Sequence, residues 1–172
     1  MGFTVEQDCP QCGGPIELDE TDHLLRCPYC HVKNYLFTPK YFRYLLPHKA
    51  PHKEIIYAPY LRFKGNVFYC TGSTVGHRVV DITHVGLPLG GISASLGLRP
   101  QAMKMKFVNQ DTHGSFLRFS YKATDILARA GKLSSAHASG QLFHRAYIGE
   151  TLSLIYLPLY LEGKRLFDAV LN

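Results

Sequence analysis

The sequence predicts an α+β protein that is mainly β: a small four-cysteine module at the N-terminus, then a mostly antiparallel β-domain, with one or two short helices in all. Three observations carry this. Four of the five cysteines fall in two CxxC pairs, Cys9-Pro10-Gln11-Cys12 and Cys27-Pro28-Tyr29-Cys30. From Glu54 onward, β-branched and aromatic runs alternate with glycine, proline and polar turns. Aromatic residues make up 12% of the chain, with 11 tyrosines and no tryptophan, a usage that suits sheets better than bundles. At 172 residues and 46% hydrophobic, the chain holds one ordinary domain plus a small module. The expected division is 1–37 for the cysteine module, 38–54 for a short helix and linker, and 55–172 for the β-rich domain.

Each CxxC lets two thiolates converge on one metal from a tight turn, and the proline and glycine around the first pair supply the backbone for it. Cys9, Cys12, Cys27 and Cys30 together therefore make one closed tetrahedral site. The 14 residues between Cys12 and Cys27 are at the short edge of zinc-type spacings. They suffice for a hairpin, with Pro15–Leu18 and His23–Arg26 as strands and Asp19–Asp22 turning between them. From about Cys9 to Asn34 this arrangement resembles a zinc ribbon, a rubredoxin-like four-cysteine module. The resemblance implies one structural Zn2+; iron fits the same thiolates, because ligand identity alone does not separate the two metals. His31 stands where ribbons usually carry glycine, a position that favours positive φ, which histidine tolerates better than most residues. With four thiolates bound, His31 is surplus to the site and no position is left for water, so the metal's role is structural.

Cys27-Pro28-Tyr29-Cys30 also matches the active-site tetrapeptide of glutaredoxins. Thiol redox chemistry from that motif requires a preceding strand and a helix opening at the first cysteine. Here the following residues, His31 to Phe37, are β-prone and closed by Pro39. The odd cysteine, Cys70, sits in the apolar run Val67–Cys70 and reads as a buried strand thiol. Reduced thiols point to the cytoplasm, and neither a signal peptide nor an apolar run long enough to span a bilayer is visible.

After the module, Thr38 to Leu46 reads as a short helix, with Thr38 as cap, Pro39 in its first turn and Pro47 ending it. The segment 47–53 is then a linker. Strands are expected at 55–63, 66–71, 78–83, 103–109, 115–121, 141–148, 152–160 and 165–170, and a helix at 123–130, where Ile126, Leu127 and Ala130 share a face. Ile56-Tyr57-Ala58-Pro59-Tyr60-Leu61-Arg62-Phe63-Lys64-Gly65 and Ile155-Tyr156-Leu157-Pro158-Leu159-Tyr160-Leu161-Glu162-Gly163 form a weak internal repeat, each a strand interrupted by proline and followed by a hairpin turn at glycine. Proline removes a ladder donor, so both strands are expected at an edge or bulged, and the two hairpins could pair pseudo-symmetrically in one sheet. The CPxCG knuckle followed by Tyr57-Ala58-Pro59-Tyr60 is similar to uncharacterised bacterial proteins in which a ribbon precedes a β-domain; that likeness implies no catalytic residues.

Catalytic patterns are sparse. The glycine-rich stretch Gly86 to Gly97 has neither a phosphate-loop nor a dinucleotide-binding pattern, and reads as a long apolar loop packed on the domain or open to a partner. Asp81 with His84, expected in a turn, and Asp111 with His113, expected on one strand face, come without a nucleophile. His77, His84, His113, His137 and His144 show no HxH or HExxH spacing. Asp19-Glu20 is similar to the acidic pair on transcript-cleavage ribbons but lacks their neighbouring arginine, and reads as a polar turn.

Charge is polarised. Residues 1–22 carry six acids and no Lys or Arg, and residues 23–110 carry 12 Lys plus Arg against Glu54 and Asp81, so the net +6 divides as −6, +10 and +2. Lys33, Lys40, Arg43, Lys49, Lys53, Arg62 and Lys64, interleaved with Tyr35, Phe37, Tyr41, Phe42, Tyr44, Tyr57 and Tyr60, would suit a nucleic acid if exposed. If the rings are core instead, the cations are an ordinary soluble face. The expectation is a non-enzymatic interaction or scaffold module with a protein partner. A nucleic-acid-binding ribbon and a thiol redox protein are the alternatives. The apolar segment Leu166 to Asn172 closes the chain without a polar tail, as in a piece of something longer.

Overall fold

The computed structural model describes residues 2–38, 40–50, 53–71, 74–134 and 142–170. Pro39, His137, Gln141, Leu171 and Asn172 lie outside the described residues. The fold is mainly β. Strands β1 (Thr4–Asp8), β2 (Pro15–Asp19), β5 (Phe42–Leu45), β6 (Ile55–Thr71), β7 (Thr74–Val85), β8 (Met105–Phe107), β9 (Ser115–Phe116), β10 (Leu142–Glu162) and β11 (Arg165–Asp168) share one mixed sheet. Its order is β2-β1-β8-β5-β10-β6-β7, with β11 on β10 and β9 on β6. Strands β3 (Leu24–Arg26) and β4 (Lys33–Tyr35) form a separate antiparallel hairpin. The helices are α1 (Arg99–Ala102) and α2 (Ala123–Ser134).

The spine is the β6–β10 ladder, which runs from Ile55 opposite Tyr160 to Thr71 opposite Leu142. Each of these strands was expected as two. They are continuous because Gly65 faces Gly149, next to a register shift at Gly149/Thr151. A Cβ on Gly65 would collide with the Ile148 carbonyl and lie 2.7 Å from the Gly149 Cα, so only glycine lets the backbones pass this closely.

The repeated proline segments do pair with each other, Pro59 opposite Tyr156 and Pro158 opposite Tyr57. Neither strand is an edge and neither is bulged there, contrary to expectation. Pro59 O accepts from Gly86 N at 2.8 Å and Pro158 O from Ala169 N at 3.0 Å, so both residues turn their ladder groups away from the β6–β10 interface. The missing N–H of Pro59 falls between β9 and β7, and that of Pro158 between β5 and β11, so the β6–β10 ladder loses no donor.

Residues 57–63 are buried throughout, the mark of a strand covered on both faces. One face packs Tyr44, Ala58, Tyr60, Met105, Ile155 and Leu157 with Leu18, Leu25 and Cys27 of the cysteine module and Leu96 of the glycine-rich loop. Of the two expectations for that loop the packed one describes it, with Leu87, Leu89 and Ile92 against the core, while Leu98 just beyond it is 80% exposed. The other face packs Ile55, Tyr57, Leu61, Leu154 and Tyr156 under Ile126 of α2.

Four further expectations are corrected. Residues 42–45 form strand β5, not a helix: Tyr44 is buried and Arg43 exposed, and β10 and β8 take up both edges, so ladder partners override the capping signals. Pro15–Leu18 does not pair with His23–Arg26; β2 pairs with β1, β3 with β4, and residues 20–22 lead from one hairpin to the other. Asp81 and His84 lie in β7, whereas Asp111 and His113 lie in and beside a turn closed by Thr112 N to Asn109 O at 3.3 Å.

The sheet curls. Between β2 and β6 stand four strands, which would separate them by roughly 24 Å in a flat sheet. Yet Glu20, just past β2, forms an ion pair with Arg62 of β6. The acidic first segment also meets cations of its ladder neighbour: Lys104, just before β8, pairs with Glu6 and Glu17, and Lys106 on β8 lies 4.0 Å from Glu6.

Candidate metal centre

Each CxxC lies at the tip of its own hairpin, the first between β1 and β2, the second between β3 and β4. The two knuckles close with the same backbone bonds. Cys9 N donates to Gly14 O at 2.8 Å and Gly13 N to Cys9 O at 2.8 Å; Cys27 N donates to Val32 O at 3.0 Å and His31 N to Cys27 O at 3.0 Å. Gly13 (φ 72°) and His31 (φ 61°) occupy equivalent left-handed positions. His31 is the only non-glycine with positive φ among the described residues, at the position the sequence singled out. Tyr29 of the second knuckle packs on Gly14 of the first, where a Cβ would meet its ring at 2.5 Å.

The four Sγ atoms converge within 4.8 Å of one another. Cys9 and Cys30 Sγ are 3.7 Å apart, and Cys12 and Cys27 Sγ 3.6 Å. A tetrahedron with metal–sulfur bonds of about 2.3 Å has sulfur–sulfur edges of about 3.8 Å, so the cluster could hold a metal ion with little movement. Cys9 and Cys27 are buried, Cys30 half-buried and Cys12 exposed. Burial opposes ionisation of Cys27, but the Cys30 and Tyr29 amides and the Cys12 and Cys30 thiols outweigh it and bring its pKa to about 6. At Cys30 the Val32 amide favours the thiolate, yet burial and the neighbouring Cys12, Cys27 and Cys9 sulfurs push it to about 12. Four thiols this close share negative charge poorly, and a bound cation relieves that repulsion.

The other sequence candidates do not join this centre. Cys70 lies half-buried on β6, less enclosed than expected. His77 rests against Phe68 at 5.7 Å, His84 Nδ1 lies 2.9 Å from Val85 O, and His113 is exposed. Among the described residues the four cysteines are the one cluster of His, Cys, Asp and Glu side chains able to hold a metal.

Sequence reasoning missed a buried polar centre. Glu20, expected in a polar turn, is 5% exposed and Arg62 fully buried. Arg62 pairs with Glu20 and, through Nε and Nη2, with both Asp81 oxygens at 2.8 and 2.6 Å, while its guanidinium lies 4.7 Å from the Phe3 ring centroid. Lys64 Nζ lies 3.4 Å from Glu20 Oε1. Burial works against the Arg62 charge, but Asp81 and Glu20 more than restore it. No local pattern signals this centre: the sheet's curl brings Glu20 to Arg62, and Asp81 comes from the neighbouring strand β7.

Fold and site define a mainly β protein with a four-cysteine cluster able to hold a metal ion, and no helix among the described residues is long and apolar enough to cross a membrane. Comparison with protein-family models, curated proteins and solved structures gave no match.

Proposed function

We propose that this chain is a non-enzymatic interaction module of the cytoplasm, in which one structural zinc ion, held by Cys9, Cys12, Cys27 and Cys30 in a ribbon-like knot, presents the β3–β4 hairpin to a protein partner. The observation that carries the reading is the hairpin's two-sided character. Leu25 is 3% exposed and anchors one face, whereas Leu24 and Tyr35, paired in register on the other, are 61% and 69% exposed, with Phe37 beyond them at 77%. Large apolar side chains grouped in this way mark contact surfaces. A closed four-thiolate site supplies rigidity instead of a reacting position. The test is a photoreactive residue at Phe37, compared with one at the equally exposed Val79 on β7. A discrete protein adduct from position 37, lost after chelation, supports the proposal; equal labelling from both positions contradicts it.

Nucleic acid is the second reading, favoured by Arg26 and Lys33, paired in register and both exposed on that hairpin, with Lys40 and Arg43 nearby in sequence. Against it, Tyr44, Tyr57, Tyr60 and Arg62 of the expected basic-aromatic surface are buried. Affinity that falls steeply with salt would raise it above the first. Thiol redox chemistry has the lowered Cys27 pKa in its favour and that side chain's complete burial against it.

A further inference from the structure

A cavity of about 310 Å³ opens beside the buried ion pairs, inside the curl of the sheet. Its walls include Phe3, Phe42 and Tyr44, and its floor includes Glu20, Arg62 and Ser153. Ser153 on β10 stands in register with Phe42 on β5 and Arg62 on β6, so the three side chains project from one face as neighbours.

The floor has hydrogen-bonding capacity left over. Ser153 is 3% exposed, and its Oγ has no partner. Arg62 offers five N–H donors; one from each nitrogen is directed at Asp81 or Glu20. That leaves two. Glu20, by contrast, is filled: Oε2 accepts from Arg62 and the Phe3 amide, and Oε1 from Thr151 Oγ1 and Lys64. Buried hydroxyls and guanidinium hydrogens are rarely left unpaired, because each costs free energy when it loses water without replacement.

We propose that this cavity is a binding site for a small planar, uncharged ring bearing a carbonyl oxygen, with the oxygen on the floor between Ser153 and Arg62 and the ring between the aromatic walls. The volume is at the lower end of small-molecule sites, enough for one ring system. The spare Arg62 hydrogens can only donate and the Ser153 hydroxyl can donate as well as accept, so an acceptor satisfies both. Around the floor Arg62 and Lys64 are balanced by Glu20 and Asp81, and the cation among the other lining residues, Lys40, is exposed to solvent, so the buried end of the cavity holds no net charge for an ion.

The test is amide NMR titration of the full-length protein with nicotinamide and with uracil, and with pyridine as a ring without the carbonyl. The proposal expects saturable shifts at Phe42, Tyr44 and Ser153 with the carbonyl-bearing rings, and binding of pyridine weaker by about tenfold. Ser153→Ala should weaken the carbonyl rings by a similar factor with an unchanged or higher melting temperature, because the hydroxyl it removes has no partner. Failure of both carbonyl rings to saturate, pyridine binding equally well, or unchanged affinity in Ser153→Ala would each overturn it. The comparison of rings on the unaltered protein stands independently of the variant.

Discussion

Arg62 and Glu20 meet across the interior of the curled sheet, one from the long strand β6 and the other just past β2, with side chains 0% and 2% exposed. The contact fastens the β1–β2 hairpin over that face, alongside the β1–β8 pairing and the packing of Phe3 on Tyr44. Glu20 also ties Phe3 in place, accepting from its amide at 3.3 Å and donating its own amide to Phe3 O at 3.1 Å. Replacing Glu20 by alanine leaves a buried guanidinium with one partner fewer. Removing one member of a buried pair costs about 3 kcal/mol. Urea unfolding of Glu20→Ala should show that loss, and a change well under 1 kcal/mol would mean that the pair does not hold the curl together.

Buried tyrosines set an alkaline limit. Burial raises Tyr44, Tyr57, Tyr60 and Tyr156 above the ordinary value of 10.0, Tyr60 to about 12. The unfolded chain therefore loses these protons first as pH rises. Their stabilising contribution is complete below pH 10 and disappears as pH climbs through 10 towards 12. Tyrosinate absorbance should rise in two stages, exposed rings first and these four together with unfolding. A single stage centred at pH 10 would contradict their burial.

The two knuckles predict opposite responses at equivalent positions. His31 holds φ 61° with a side chain, so His31→Gly removes backbone strain and should keep full metal binding with stability within about 1 kcal/mol. Gly13→Val forces a β-branched residue to φ 72° and should loosen the first knuckle, measured as faster metal loss to a chelator. Equal loss rates for both variants would refute the shared geometry.

Losing the metal should not unfold everything. Cys27→Ser is expected to release the ion and disorder β3–β4, whose hairpin makes only three strand pairs. The β1–β2 hairpin should survive, because β8, the buried Phe3 and Val5, and Glu20 hold it to the sheet. Amide NMR would separate the two groups; loss of dispersion throughout β6 and β10 would contradict this. Protons compete with metal for the thiolates, so affinity falls as pH falls. Release should be complete below about pH 5.

What was legible in the sequence was what short-range chemistry dictates. Two CxxC pairs specify a site by their own spacing, and His31 could be assigned positive φ from its place in the knuckle. Most of the later strands were legible as β-prone runs. The β1 strand was not, since Thr4-Val5-Glu6-Gln7-Asp8 buries only Val5 and owes its conformation to β2 and β8. The segment before Pro47 carries genuine helix-start signals, and only partners distant in sequence, the parallel β10 and the antiparallel β8, make it a strand. Glu20 and Arg62 are 42 residues apart, and nothing near either one announces the other. The prolines show the same limit: the pairing of their segments could be anticipated, but not that both missing donors would fall into gaps between flanking strands.

Zinc-edge X-ray absorption on the protein purified without added metal tests the central claim most directly. The account predicts one zinc per chain surrounded by four sulfurs at about 2.3 Å, with no nitrogen or oxygen in the shell. A shell containing nitrogen or oxygen, or the absence of stoichiometric metal from native protein with reduced cysteines, would contradict it.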